Sequence, residues 1–259
     1  MDNLRKYGNS PFDIAVLHGG PGAPGEMAPV ARELSAVRGT LEPLQTAATL
    51  EGQVQELRLV LEKEGALPLT LIGFSWGAML GFIFTARYPS FVKKLILLGS
   101  GVYEDRYAVT ITGTRLSRLS EEERVEVLSL VEDLDNPASK DKNKLMARFG
   151  QLIFRADVYD PISHNTEAMA FQYDVNTGVW AQAEKLRRSG EFLKLGSRIK
   201  CPVVAIHGDY DPHPYEGIKE PLSRVLKDFR FILLEKCGHY LWLERNAREK
   251  FFDILKNEI

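Results

Sequence analysis

Cysteine is scarce in this chain of 259 residues: it has two, Cys201 and Cys237, too few for a disulfide scaffold. Cys201 precedes one expected strand and Cys237 ends its parallel neighbour, which puts them at opposite edges of the sheet. Five or more extended residues at about 3.3 Å each exceed the roughly 7 Å between Cα atoms that a disulfide can bridge. Free thiols are therefore expected, as suits a reducing cytoplasm. Net charge of one sign is also lacking. Lys and Arg total 33 against 35 Asp and Glu, and the bases are dispersed among the acids, which leaves no field for nucleic acid. Nor is there a long hydrophobic run. The longest uncharged segment, Leu69–Ala86, is interrupted by three glycines and a serine, and Met1–Pro11 is polar, without the apolar centre of an export signal. These absences predict a cytoplasmic protein that neither spans a membrane nor binds nucleic acid, with a small molecule as its partner; oligomeric state is left open. Internal repeats and low-complexity tracts are lacking as well.

What is present is an alternation of apolar and amphipathic runs, the pattern of a parallel sheet with helices on both faces. Strands are expected at Ile14–Leu17, Thr40–Gln45, Leu69–Ile72, Lys94–Leu98, Val203–Ile206 and Phe231–Leu234, an α/β architecture of about six strands. Helices are expected at Glu26–Val37, Thr49–Glu64, Ala78–Ala86, Tyr215–Lys227 and Ala247–Glu258. Between 102 and 198 the strand rhythm stops and the chain turns helical and charged, at Glu121–Leu134, Ser139–Phe154 and Val179–Leu195. The expected division is a core domain of residues 1–101 and 199–259 and a helical lid of residues 102–198, lying over the crevice where α/β sheets bind ligands.

Gly73-Phe74-Ser75-Trp76-Gly77 sits where an apolar strand breaks into an apolar helix, the setting of a nucleophile elbow. Side chains at Gly73 or Gly77 would collide with the neighbouring strand or the departing helix. Asp209 and Asp211 follow one strand in HGDYDPHP, and His239 follows the next in CGHYLWLE. Parallel strands end on one edge, so serine, acid and histidine are expected to converge in the chain order of a serine hydrolase on this fold. Imidazole titrates near neutrality and can take the serine proton during attack, and a buried carboxylate fixes its tautomer. His239 is the expected base, with His213 its rival on a loop stiffened by Pro212 and Pro214. Asp211 and Asp209 both stand as candidate acids. His18-Gly19-Gly20-Pro21-Gly22 follows the first strand, and the N–H groups of Gly20 and Trp76 are the expected donors to the oxyanion. His18 is expected to prop that loop, His207 to end a strand, and His164 to lie on the lid surface. The spacing of Asp209, Asp211 and His213 permits a metal but lacks the clear pattern of zinc ligands, and neither metal nor cofactor is expected.

On these residues the chain resembles the α/β-hydrolases, over 13–101 and 198–259. HGGPG at 18–22 and the continuation Ser75-Trp76-Gly77-Ala78 are similar to the proline iminopeptidase branch. The resemblance implies Asp211 as the acid, because the family's GDxD pattern uses the second aspartate. It also implies a truncated sheet in the family order 4-3-5-6-7-8, since only about a dozen residues precede Ile14. Relatives tend to carry an Asp-Arg-Gly-type segment where this chain has Glu42-Pro43-Leu44-Gln45. Ser75 sets the chain apart from epoxide hydrolases and haloalkane dehalogenases, whose elbow carries an aspartate. The implied activity is cleavage of a small ester, thioester or amide through an acyl-enzyme. The alternatives are an aminopeptidase, whose lid acids would hold a free amine (Glu104, Asp105, Glu167 and Asp174 are candidates), and a ligand-binding protein without chemistry.

Overall fold

The apolar runs do become strands. A computed structural model describes residues 3–163 and 169–259, and among them seven strands form one sheet in the order β1-β3-β2-β4-β5-β6-β7. In chain order the elements are β1 (Leu4–Tyr7), β2 (Phe12–Leu17), α1 (Ala28–Ser35), β3 (Gly39–Pro43), α2 (Leu50–Glu64), β4 (Leu69–Phe74), α3 (Trp76–Arg87) and β5 (Val92–Leu98). Helices α4 (Asp105–Ala108), α5 (Ile111–Ser117), α6 (Glu121–Asp135), α7 (Lys142–Asp157), α8 (Tyr173–Arg188) and α9 (Glu191–Lys194) follow. The chain ends with β6 (Val203–Gly208), α10 (Glu216–Val225), β7 (Phe229–Leu234) and α11 (Arg248–Asn257). No described helix is long and apolar enough to cross a membrane.

The six expected strands pair in parallel in the expected order, and one further strand joins the edge. β1 runs antiparallel to β3, with Leu4 opposite Pro43 and Tyr7 opposite Thr40. Its sequence, Leu-Arg-Lys-Tyr, offers four residues and little apolar alternation, so its strand state follows from pairing with an exposed edge and not from its own pattern. The central strands are mostly apolar and buried because helices cover both faces, with Lys93 and Lys94 at the start of β5 the exception. On one face α2, α3 and α10 pack around Leu71, Leu95 and Ala205; on the other, α1 and α11 pack around Ile72, Ile96 and Ile206. Helix α3 is buried along its whole length except for Arg87, which explains an apolar composition without a polar face.

Within 102–198 the expected helix Val179–Leu195 is two. Helix α8 begins earlier, at Tyr173, and ends at Arg188, because Gly190 turns the chain at φ 74° before α9. Helices α6 and α7 pack on each other through Val127, Leu130, Leu152 and Ala156, a small core of their own. Ser120 opens α6 with a reciprocal cap to Glu123. Cys201 and Cys237 are both free.

Candidate active site

Ser75 stands between the last residue of β4 and the first of α3, at φ 50° and ψ −112°. A non-glycine residue at positive φ is strained, and such strain persists only where the surroundings fix it. Here the N–H of Ser75 donates to the Leu98 carbonyl at 2.9 Å, and its own carbonyl accepts from Ala78 at 3.1 Å. The reversal is so tight that a Cβ at Gly73 would lie 2.2 Å from the Gly77 carbonyl oxygen, and one at Gly77 2.4 Å from that of Leu17. Only glycine fits at either flank.

The two aspartates after β6 separate cleanly. Asp209 accepts the Cys237 N–H at 3.1 Å and so ties the β6 loop to the β7 loop. Asp211 is the one that meets the histidines. Its Oδ2 accepts from His239 Nδ1 at 2.6 Å, while its Oδ1 accepts the His213 backbone N–H at 2.9 Å and His213 Nδ1 at 2.8 Å. Burial alone would raise the carboxyl, but His239, His207 and His213 hold it well below the usual carboxylate range. Burial likewise opposes a charged His239, yet the charge and hydrogen bond of Asp211 outweigh it and raise that imidazole above its ordinary 6.5. For His213 burial wins, and its pKa is lowered.

Ser75, His239 and His213 line one cavity of about 870 Å³, together with Gly20, Trp76 and Arg115. Gly20 turns at φ 21°. Trp76 is the first residue of α3, so its N–H has no acceptor within the helix; its indole N–H is fixed by Gln53 Oε1 at 2.8 Å. His18 props the loop as expected: Nε2 accepts the Gln45 N–H at 3.2 Å, which leaves Nδ1 to donate to the Gly19 carbonyl at 2.7 Å. Burial pushes this ring down to about 4, so it stays neutral. Gln45 belongs to the segment that departs from the family pattern, and its backbone supports the glycine loop. The groups of Asp211, His213 and His239 that could ligate a metal lie within 4.8 Å of one another. Both imidazole Nδ1 atoms are engaged with the Asp211 carboxylate.

Four groups that sequence reasoning missed complete the site. Arg115 on α5 forks onto Asp157 at the end of α7, with Nε to Oδ1 at 2.8 Å and Nη2 to Oδ2 at 2.7 Å. The Asp157 carbonyl accepts the His239 N–H at 2.7 Å. Glu244, wholly buried, accepts the N–H groups of Tyr159 (2.8 Å), Asp160 (2.8 Å) and Gly238 (3.0 Å), and so fastens the histidine loop to the end of α7. Glu26, also buried, lines the cavity. None has a spacing signal, because each matters through what it touches. The expected lid acids lie elsewhere. Glu104 pairs with Arg106 and Arg224, and Asp105 with Arg187. Neither they nor Asp174 lines the cavity, and Glu167 and His164 fall outside the described residues.

A sheet of this order with this elbow defines the α/β-hydrolase architecture, and the alpha/beta hydrolase fold family model matches residues 21–245. The chain belongs to that family. It is 24% identical over 175 residues to "Serine hydrolase BPHL" of Mus musculus, a match covering 68% of this chain and 50% of that protein, so the chain spans about half the length of this curated relative. Among solved structures it is similar to VinJ (TM-score 0.68, 19% identity, 99% of this chain and 95% of the other). It is also similar to the proline iminopeptidase of Mycobacterium smegmatis (TM-score 0.61, 19% identity, 98% and 92%).

Proposed function

We propose that this chain is a serine hydrolase that cleaves a small ester, thioester or amide through an acyl-enzyme, with residues 102–198 as a lid over the site. The observation that carries the reading is the His239–Asp211 hydrogen bond of 2.6 Å on a ring that lines the same cavity as the strained Ser75. In this mechanism the substrate carbonyl rests against the N–H groups of Gly20 and Trp76. Ser75 Oγ attacks the carbonyl carbon while His239 Nε2 takes its proton, and the Asp211 carboxylate stabilises the imidazolium. The tetrahedral oxyanion collapses, the bond to the leaving group breaks, and His239 returns the proton to that group. Water then attacks the acyl carbon, gives its proton to His239, and Ser75 Oγ leaves reprotonated. The steps use side chains and main-chain N–H groups alone.

The test is labelling with a fluorophosphonate probe and turnover of p-nitrophenyl acetate, with the modified residue mapped by mass spectrometry. Wild type labels at Ser75, and Ser75→Ala loses both labelling and turnover. Labelling that survives in the variant refutes the assignment. A second reading, an aminopeptidase acting on N-terminal proline, is favoured by the HGGPG loop and by likeness to the iminopeptidase structure. It requires that prolyl naphthylamide be cleaved and its N-blocked form not.

A further inference from the structure

Glu26 is a charged group of the cavity to which the proposed mechanism gives no task. It follows the glycine loop and is 4% exposed, it lines the cavity with Ser75 and His239, and its Oε2 has no hydrogen-bond partner among the described residues. A buried polar atom left without a partner is costly and calls for an account. The carboxyl lies against the loop that bears Gly20: a Cβ at Gly19 would sit 2.5 Å from Glu26 Oε2. His239 and Tyr240 face it from the loop after β7, the Gly19 N–H from the loop after β2, and Glu42 from β3. Burial is the largest influence and, with Glu42, outweighs the rest, so the carboxyl is pushed up from 4.5 to about 7.

The cations of the cavity wall are engaged elsewhere. Arg115 is held by Asp157, Arg155 pairs with Glu123, and His239 faces Asp211. Much of the remaining wall is aromatic, with Phe74, Trp76, Phe149, Phe171, Trp180 and Tyr240, and aromatic faces attract cations. An acid whose neighbouring cationic group, His239, is already paired with Asp211 thus sits in an aromatic enclosure beside the loop where negative charge would develop.

We propose that Glu26 binds a positively charged substituent of the substrate, so that the site selects cationic acyl compounds over neutral ones. This rests on the hydrolase reading above. An ionised Glu26 repels an oxyanion forming near the loop, and a substrate cation lying between them cancels that repulsion. A protonated Glu26 makes no such distinction. Selectivity for the cation therefore rises with pH as Glu26 ionises. The effect of His239 on rate is shared by both members of a matched substrate pair and drops out of their ratio.

Two pairs that differ only in charge test this: acetylcholine against neohexyl acetate, and p-nitrophenyl trimethylammonioacetate against p-nitrophenyl tert-butylacetate. Each kcat/KM is divided by the rate of hydroxide hydrolysis to remove intrinsic reactivity. In wild type at about pH 8 the ratio of cation to isostere reaches about tenfold or more for at least one pair, as a charge-assisted contact supplies. It falls toward one by about pH 5.5. Glu26→Gln, its folding checked by melting temperature, gives a ratio near one at both pH values, and if that variant does not fold the wild-type pH series decides alone. Wild-type ratios near one in both pairs, or a ratio that survives in Glu26→Gln, overturn the assignment of Glu26 while leaving the hydrolase reading intact. Failure to hydrolyse any of the four esters, with no labelling of Ser75, overturns both.

Discussion

Glu26 also makes a prediction about stability that needs no substrate. A carboxyl raised from 4.5 to about 7 binds its proton more tightly in the folded chain than in the unfolded one. Its contribution is full below 4.5 and is lost as pH rises through 7, and above that range ionising it in place costs about 3 kcal/mol. Glutamine has the same shape and no proton to lose. The stability of Glu26→Gln relative to wild type should therefore increase by about 3 kcal/mol between about pH 4.5 and pH 8.5. In a chain of this size about 1 kcal/mol moves the melting temperature by about 2 to 4 °C, so the gap between the two proteins widens by about 6 to 12 °C. Differential scanning calorimetry across the pH range measures it, and taking the difference between variants removes the titrating groups that do not interact with Glu26. A gap that stays constant with pH would mean that the carboxyl ionises as it does in water, and the burial argument would fail.

The histidine loop supports two more predictions. Because Asp211 holds the proton on His239, kcat/KM for a neutral ester should rise with pH through a midpoint above 6.5, as the base must be neutral to act. Asp211→Asn, which loses both that charge and the tautomer it selects, should lower kcat by about 10⁴-fold and shift the midpoint down; pH–rate profiles of the two proteins decide. Glu244→Ala leaves the N–H groups of Tyr159, Asp160 and Gly238 without their acceptor, at a cost of about 3 kcal/mol or more. Urea denaturation should show that loss, and kcat should fall with it as the His239 loop loosens; an unchanged midpoint would refute the role of Glu244.

How far the sequence could be read depended on how local each signal was. The elbow was legible because strand, glycines, serine and apolar helix are contiguous, and steric exclusion at Gly73 and Gly77 acts within a few residues. The order of the six parallel strands followed from alternation and resemblance. β1 was invisible, since Leu-Arg-Lys-Tyr becomes a strand only by adding to the edge of β3. The choice between Asp209 and Asp211 was settled at sequence level by analogy. In the structure it rests on contact: one aspartate meets a backbone N–H of Cys237 and the other meets two imidazoles. Glu26, Arg115, Asp157 and Glu244 were not legible at all, because an acidic or basic letter does not reveal what its side chain meets in the fold.

Contacts around the site also tie the loops at the strand ends to the segment between 102 and 198. The residues proposed to react all come from strand ends, yet two of the loops that carry them are held from that segment. The Gln172 N–H donates to the Gly22 carbonyl at 2.9 Å, and Asn176 Nδ2 donates to that of Pro21 at 3.0 Å. Gly22, at φ 79°, leaves no room for a side chain, since its Cβ would come 2.4 Å from the Gln172 carbonyl oxygen. On the other side the His239 N–H is bonded to Asp157, whose charge is in turn held by Arg115. A rearrangement of α7 or α8 would therefore change the position of the glycine loop or of the imidazole, as well as the shape of the cavity. Preorganised donors act only when fixed before charge develops, so under the proposed mechanism the helical segment would affect rate through the contacts that hold the glycine loop and the imidazole.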